Sequence, residues 1–156
     1  KVLFDLGHVS SREPFRRLEV QASSVQTWSR HTVDASARLQ YAGQGAFGSV
    51  GRYSLGGFQQ LSGYEPGQIN GNYLLFGRLV YTHRLDESPV FTRGWFGGAS
   101  FEAGNAWDRR ADANVSDLRL GASAFIGAAT GLGPLYFGVT YAPKGSAGVI
   151  LVIGRP

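Results

Sequence analysis

The sequence Thr-Val-Asp-Ala-Ser-Ala-Arg-Leu-Gln-Tyr occupies residues 32–41, and its polarity alternates at every step. The odd-numbered residues from Val33 to Tyr41 are apolar or aromatic, whereas the even-numbered ones, Asp34 and Arg38 among them, are polar. Successive side chains of a β-strand point to opposite faces of a sheet. The stretch therefore predicts a strand with one apolar face and one polar face.

The same alternation recurs along the chain and predicts eight strands. They lie at about residues 1–7, 15–28, 31–43, 71–85, 91–107, 118–130, 133–143 and 146–154. Several of these strands match or exceed the roughly 9–11 residues with which a tilted strand crosses a bilayer. We therefore expect an all-β fold in which residues 1–156 form one antiparallel transmembrane β-barrel segment.

Composition narrows both the fold class and the function. The chain has 156 residues, of which 23 are glycine and only 17% are charged, which favours one domain of strands and tight turns over a helical bundle. The absence of cysteine excludes disulfides and thiolate metal sites. The net charge of +4 is scattered, so we expect no nucleic-acid partner. Because the chain begins at Lys1 and contains no Met, we interpret it as part of a longer polypeptide.

The two faces of the predicted strands have different compositions. The apolar faces consist of Ala, Leu, Val and Gly, with aromatic residues near strand ends, such as Tyr73 with Tyr81 and Trp95 with Trp107. An apolar band bounded by aromatic residues around a polar interior is typical of membrane barrels. The soluble alternatives, an antiparallel sandwich or a lipocalin-like barrel, stay open because their strands alternate as well.

Charges of both signs occur on the polar faces. Glu102 is the only acid of its predicted strand, and Arg78 and Arg119 lie on the polar faces of the flanking strands. An unpaired charge inside a barrel is costly unless it is hydrated or bonded. We therefore expect these three lumenal charges to form structural ion pairs, with a catalytic acid at Glu102 as the alternative.

The predicted connections alternate between short and long. Turns at 29–30, 132–133 and 144–145 are short, whereas the connections at 8–14, 44–70 and 108–117 are long. This asymmetry is typical of membrane barrels, which have short periplasmic turns and longer external loops. The 44–70 connection is long and rich in glycine, so we expect it to fold back over or into the barrel.

No motif in the chain indicates catalysis or cofactor binding. Residues Gly43 to Gly48 match G-x-G-x-x-G, but no helix-forming sequence follows them. A G-x-S-x-G nucleophile motif is absent, and His8, His31 and His83 lack the spacing of metal ligands. We expect no catalytic, cofactor or metal site, and we predict that this segment is not an enzyme.

The decapeptide Leu55-Gly56-Gly57-Phe58-Gln59-Gln60-Leu61-Ser62-Gly63-Tyr64 resembles the long-loop motif of the Omp85-type outer-membrane surface-antigen domain. The stretch 100–107 resembles that family's next marked strand, and 132–138 with 152–156 resemble its last strands. The family's loop usually carries an arginine that reaches into the lumen, and Ser62 occupies that position here. The residues matched to the loop motif are Leu55, Gly56, Gly57, Leu61, Ser62, Gly63 and Tyr64.

This resemblance implies the C-terminal half of a sixteen-stranded barrel in the outer membrane of a Gram-negative bacterium. Such a half is completed by a missing N-terminal half or by a second copy of the chain. Leu-Ser-Gly-Tyr at 61–64 is similar to the type V autotransporters in which a patatin-like phospholipase, a lipid-degrading enzyme, is fused to its own barrel. The resemblance thus implies a translocator that anchors and exports an N-terminal passenger, surrounded by outer-membrane lipids and without a cofactor.

Two alternatives to this function remain. One is an Omp85-type protein translocation or assembly factor, although Ser62 in place of the family's arginine disfavours an essential insertase. The other is a small self-contained eight-stranded barrel with a structural or lipid-binding role.

Overall fold

The structure is a computed structural model that describes residues 2–5, 17–42, 52–86, 94–131 and 133–154. Its strands are, in chain order, β1 (Val2–Asp5), β2 (Arg17–Trp28), β3 (His31–Ala42), β4 (Tyr53–Leu55), β5 (Ile69–Gly71), β6 (Tyr73–Asp86), β7 (Trp95–Trp107), β8 (Arg119–Thr130), β9 (Gly133–Tyr141) and β10 (Ala147–Ile153). Two 3-10 turns, Arg110–Asp112 and Val115–Asp117, lie between β7 and β8. No helix in the described part of the chain has the length and apolar composition needed to span a bilayer.

Eight of the strands form one antiparallel sheet in the order β1-β2-β3-β6-β7-β8-β9-β10. Strands that follow one another in sequence are neighbours in the sheet, except that the hairpin of β4 and β5 is inserted between β3 and β6. The predicted all-β, antiparallel architecture is therefore confirmed. The sheet is open within the described residues, because β1 and β10 are each paired on one side only. Closure into a barrel is thus not observed there.

The predicted and observed strands differ chiefly at their ends. The predicted strand 71–85 begins at Tyr73, because Gly71 pairs with Tyr53 in the β4–β5 hairpin. That hairpin was not predicted, since two three-residue strands within a glycine-rich connection show no measurable alternation. Several predicted features lie outside the described residues: His8, the 8–14 connection, the motif Gly43 to Gly48, positions 1, 6–7, 15–16, 43, 91–93 and 132, and the closing Arg155 and Pro156.

The two faces of the sheet have opposite character. The outer face carries the predicted apolar positions, and its large side chains are exposed: Leu39, Leu79, Tyr81, Trp95, Phe101, Leu120, Ile126, Phe137, Val139, Tyr141, Val149, Leu151 and Ile153. The inner face carries the polar positions, and Ser100, Glu102, Ser123 and Thr140 are buried there. A sheet folded in water buries its apolar face and exposes its polar one, so this sheet is the reverse of that arrangement.

The hydrophobic core lies against the inner face. Leu74 and Phe76 of β6 are buried in one cluster with Leu55, Leu61 and Tyr64. The last three belong to residues 53–71, hereafter the fold-back segment, which lies across the inner face. The inner face is therefore mixed rather than uniformly polar, because the segment brings apolar side chains that need apolar partners.

Candidate functional site

The fold-back segment is an ordered structure. Its base is the hairpin of β4 and β5, and the Gly56 N–H donates to the Gln60 carbonyl at 2.7 Å. The Gly57 N–H donates to the Tyr64 carbonyl at 2.8 Å, which closes the loop on itself. Leu61 has a φ of 92° and is fully buried. Non-glycine residues rarely adopt such a φ, so core packing holds this backbone conformation in place.

A buried carboxylate fastens the segment to the sheet. Glu102 on β7 has no exposed surface, and its Oε2 accepts a hydrogen bond from the Ser62 N–H at 2.7 Å. Its Oε1 accepts from the Ser62 hydroxyl at 3.2 Å and from the Ser100 hydroxyl. Hydrogen bonds to a charged acceptor are about twice as strong as those between neutral groups. Glu102 therefore holds the tip of the segment at the centre of the inner face.

The hydrogen bonds around Glu102 continue on both sides of it. The Ser62 hydroxyl accepts from the Gln59 N–H at 3.1 Å while donating to Glu102. The Ser100 hydroxyl has a single proton, which it donates to Glu102, so the Ser123 hydroxyl at 2.5 Å donates to Ser100. Five residues from the segment, β7 and β8 thus form one buried polar network.

Two glycines allow the segment to approach the sheet closely. A Cβ atom at Gly121 on β8 would lie 2.5 Å from the Ser62 carbonyl oxygen and 2.9 Å from Glu102 Oε2. Gly63 has a φ of +88°, and a Cβ atom there would lie 2.6 Å from the Ala142 Cβ. Its carbonyl accepts from the Ser146 N–H at 2.8 Å, beyond the end of β9. The segment therefore contacts the sheet through its backbone.

Aromatic and cationic side chains complete the contact. Phe58 packs edge-to-face on Phe125 and Tyr136, with ring centroids 5.4 Å away in both cases. The Arg119 guanidinium lies over the Tyr64 ring at 5.6 Å. The Arg38 Nη2 donates to the Gln60 side-chain oxygen at 3.5 Å. The contacts of the segment thus extend from β3 to the end of β9.

The three predicted lumenal charges lie on one face but do not pair with one another. Arg78 is directly opposite Glu102 in the register of β6 and β7, yet its Nη2 lies 3.3 Å from Asp34 Oδ2. Arg119 faces Tyr64. Among the described residues, no cation lies within ion-pair distance of Glu102. The expected ion pairs with Glu102 are therefore wrong, because Ser62 and Ser100 occupy its acceptor positions.

The contact between Ser62 and Glu102 does not have the geometry of a catalytic site. Ser62 has 0% exposed surface, so its hydroxyl cannot meet a substrate without removal of the segment. Groups of three or more potential metal ligands are absent from the described ranges. All seven residues of the loop motif lie between residues 55 and 64 and therefore within the fold-back segment. Four residues of the contact, Phe58, Ser100, Gly121 and Ser123, were not predicted as site residues, although the alternation of β7 and β8 puts both serines on the polar face with Glu102.

The chain was also compared with known proteins. No protein-family model matches it, and no curated protein matches its sequence.

We predict that Glu102→Ala releases the segment. The substitution leaves the Ser62 N–H without an acceptor in a buried position, which costs about 1–3 kcal/mol for each orphaned group. The measurement is hydrogen exchange at the Ser62 amide, with Glu65→Ala as the control because Glu65 is an exposed carboxylate of the same segment. Equal Ser62 protection in both variants would contradict the role given to Glu102.

We predict that Gly121→Ala separates the segment from β8. The added Cβ would meet the Ser62 carbonyl at 2.5 Å, and overpacking of this kind costs about 1–3 kcal/mol. Faster tryptic cleavage after Arg52, at the start of the segment, reports the separation. The control is Gly77→Ala, where the nearest atom to an added Cβ is 4.0 Å away. Cleavage rates that rise equally in both variants would show that the close approach is unimportant.

Proposed function

We propose that the chain is a segment of an outer-membrane β-barrel that anchors and exports an N-terminal passenger. In this proposal the outer face contacts lipid, the inner face lines the barrel, and the fold-back segment occupies the interior as a plug or gate. The proposal follows the resemblance to the Omp85-type surface-antigen domain and its patatin-like phospholipase branch. The catalytic residues of the passenger lie outside this chain.

The observation that carries the membrane proposal is the inverted polarity of the sheet. Phe101 is 52% exposed on β7, whereas its sequence neighbour Glu102 is fully buried on the opposite face. In water, an exposed sheet face of this size and composition would drive association or aggregation. In a bilayer the same face is favourable, because lipid outside and polar groups inside is the pattern of a membrane barrel.

The contacts of the fold-back segment support the proposal that the inner face lines the interior of a barrel. The segment donates the Ser62 N–H and the Ser62 hydroxyl to Glu102, which also accepts from the Ser100 hydroxyl of β7, and it covers Leu74 and Phe76. A barrel interior tolerates such a mixture because each polar group there can be bonded or hydrated. Release of the segment would expose the buried network and enlarge the interior, which is the property a gate requires.

The open edges of the sheet support completion by further strands. β1 and β10 are each paired on one side within the described residues, and unpaired backbone groups are not tolerated in the hydrocarbon region. We infer that the edges pair with strands of an N-terminal half-barrel, and a second copy of the chain is the alternative. A sixteen-stranded barrel of this kind has room for the fold-back segment in its interior.

We predict that Leu79→Arg destabilises the protein in membranes. Leu79 lies near the middle of β6 on the outer face, opposite Ala35 and Phe101, and an arginine facing lipid near the midplane costs about 2–4 kcal/mol. The free energy of unfolding, measured by urea titration in lipid vesicles, should fall by that amount. The control is Val115→Arg, because Val115 is 70% exposed in the connection between β7 and β8.

Val115→Arg should change the free energy of unfolding by less than about 0.5 kcal/mol, as for an ordinary surface site. If Leu79→Arg were equally neutral, the outer face would lie in water, and the membrane proposal would fail. Folding of the unmodified chain in buffer without detergent or lipid would contradict it as well.

The gene sequence upstream of Lys1 tests the passenger. We expect a signal peptide, a hydrolase domain with a G-x-S-x-G motif, and further alternating strands. Periplasmic repeats without a hydrolase domain would contradict the passenger and indicate a protein-assembly factor instead. An initiator Met shortly before Lys1 would contradict the half-barrel. In the whole polypeptide, Glu102→Ala should reduce display of the passenger without altering lipid hydrolysis by the detached passenger.

A further inference from the structure

A pocket of about 270 Å³ lies at one end of the sheet, away from the fold-back contact with Glu102. It is lined by Tyr41 and Ala42 at the end of β3, Asn72 and Tyr73 at the start of β6, and Asp108, Arg109 and Arg110 after β7. The Tyr41 and Tyr73 rings stack with centroids 4.7 Å apart. The pocket thus combines an aromatic wall with a charged wall.

The charged wall has an excess of positive charge. Arg52 pairs with Asp108, and the Arg109 Nε lies 3.3 Å from Asp112 Oδ2. Arg110 has no carboxylate within ion-pair distance among the described residues. Arg109 pairs with Asp112 through Nε, so its two Nη groups remain as donors. The pocket is therefore complementary to an anion.

The aromatic wall continues into the outer face. Tyr41 and Tyr73 are register partners, and Trp107 is the register partner of Tyr73 on β7. Leu39, the next outer-face residue along β3, is exposed. Tyrosine and tryptophan at the end of an apolar band are typical of the membrane interface, where headgroups lie. An amphipathic ligand in this pocket can thus place an anionic group against the arginines and its apolar chains along the outer face.

We propose that this pocket binds the phosphate group of a membrane lipid. Arg109 and Arg110 donate to the phosphate oxygens, since guanidinium groups match phosphate geometry. The tyrosine rings contact the glycerol or sugar part, and the acyl chains lie along Leu39 and its outer-face neighbours. This inference rests on the membrane function proposed above and adds to it a specific lipid contact at the interface.

The test uses the whole barrel to which this chain belongs, in dodecyl maltoside micelles, with Trp28→Phe and Trp95→Phe and with any tryptophan outside the chain replaced by Phe, so that Trp107 is the only tryptophan. The probe is dodecyl phosphate, added at increasing mole fraction. We expect a saturable change in Trp107 fluorescence, and an apparent affinity about tenfold weaker in Arg109→Gln with Arg110→Gln. The matched control is Arg30→Gln, an exposed arginine in the turn between β2 and β3 at the opposite end of the sheet.

Three outcomes would overturn the inference. The first is a fluorescence change that does not saturate, or that is equal in the arginine variant and the control. The second is inorganic phosphate binding as tightly as dodecyl phosphate, which would show a site for a free anion. In the third, the chain folds in buffer and not in micelles, and only this outcome also contradicts the membrane proposal. Arg110→Lys, which keeps the charge but not the guanidinium geometry, should bind more weakly than the unmodified protein and more tightly than the glutamine variant.

Discussion

The arrangement of the molecule depends on one hydrogen bond, which the Ser62 N–H donates to the Glu102 carboxylate. It joins the tip of the fold-back segment to the centre of the sheet, where water is excluded and an unbonded carboxylate would be costly. Because the segment is fixed there, the inner face and its polar side chains become interior. The outer face, with its apolar side chains, is left as the surface of the molecule.

Ser62 performs this role through its backbone as much as through its side chain. The resembled family places an arginine at this position, but here Gly121 lies so close that even a Cβ on β8 would contact the Ser62 carbonyl at 2.5 Å. The Ser62 side chain is fully buried and hydrogen-bonded to Glu102. The chain therefore fastens its loop with a backbone amide and short hydroxyl donors, while Arg38, Arg78 and Arg119 take other partners on the same face.

The proposed membrane position gives the remaining features of the sheet a common explanation. The apolar outer face ends at Tyr41, Tyr73 and Trp107, and the charged residues Asp108, Arg109 and Arg110 follow in the connection after β7. That order matches the change from hydrocarbon to headgroups across half a bilayer. The fold-back segment then lies across the inner face, and the proposed lipid pocket lies at the end of the sheet, where the aromatic side chains of the outer face meet the arginines.

The sequence by itself determined the strands and their faces, because alternation of polarity is a local property that each strand carries in its own residues. From it followed the antiparallel sheet and the placement of Arg78, Glu102 and Arg119 on one face. Only the tertiary structure decided their partners, since Ser62 reaches Glu102 across 40 residues of chain. The small hairpin of β4 and β5, the close approach at Gly121 and the pocket at Tyr41 also arise from contacts between distant segments, for which no local pattern exists.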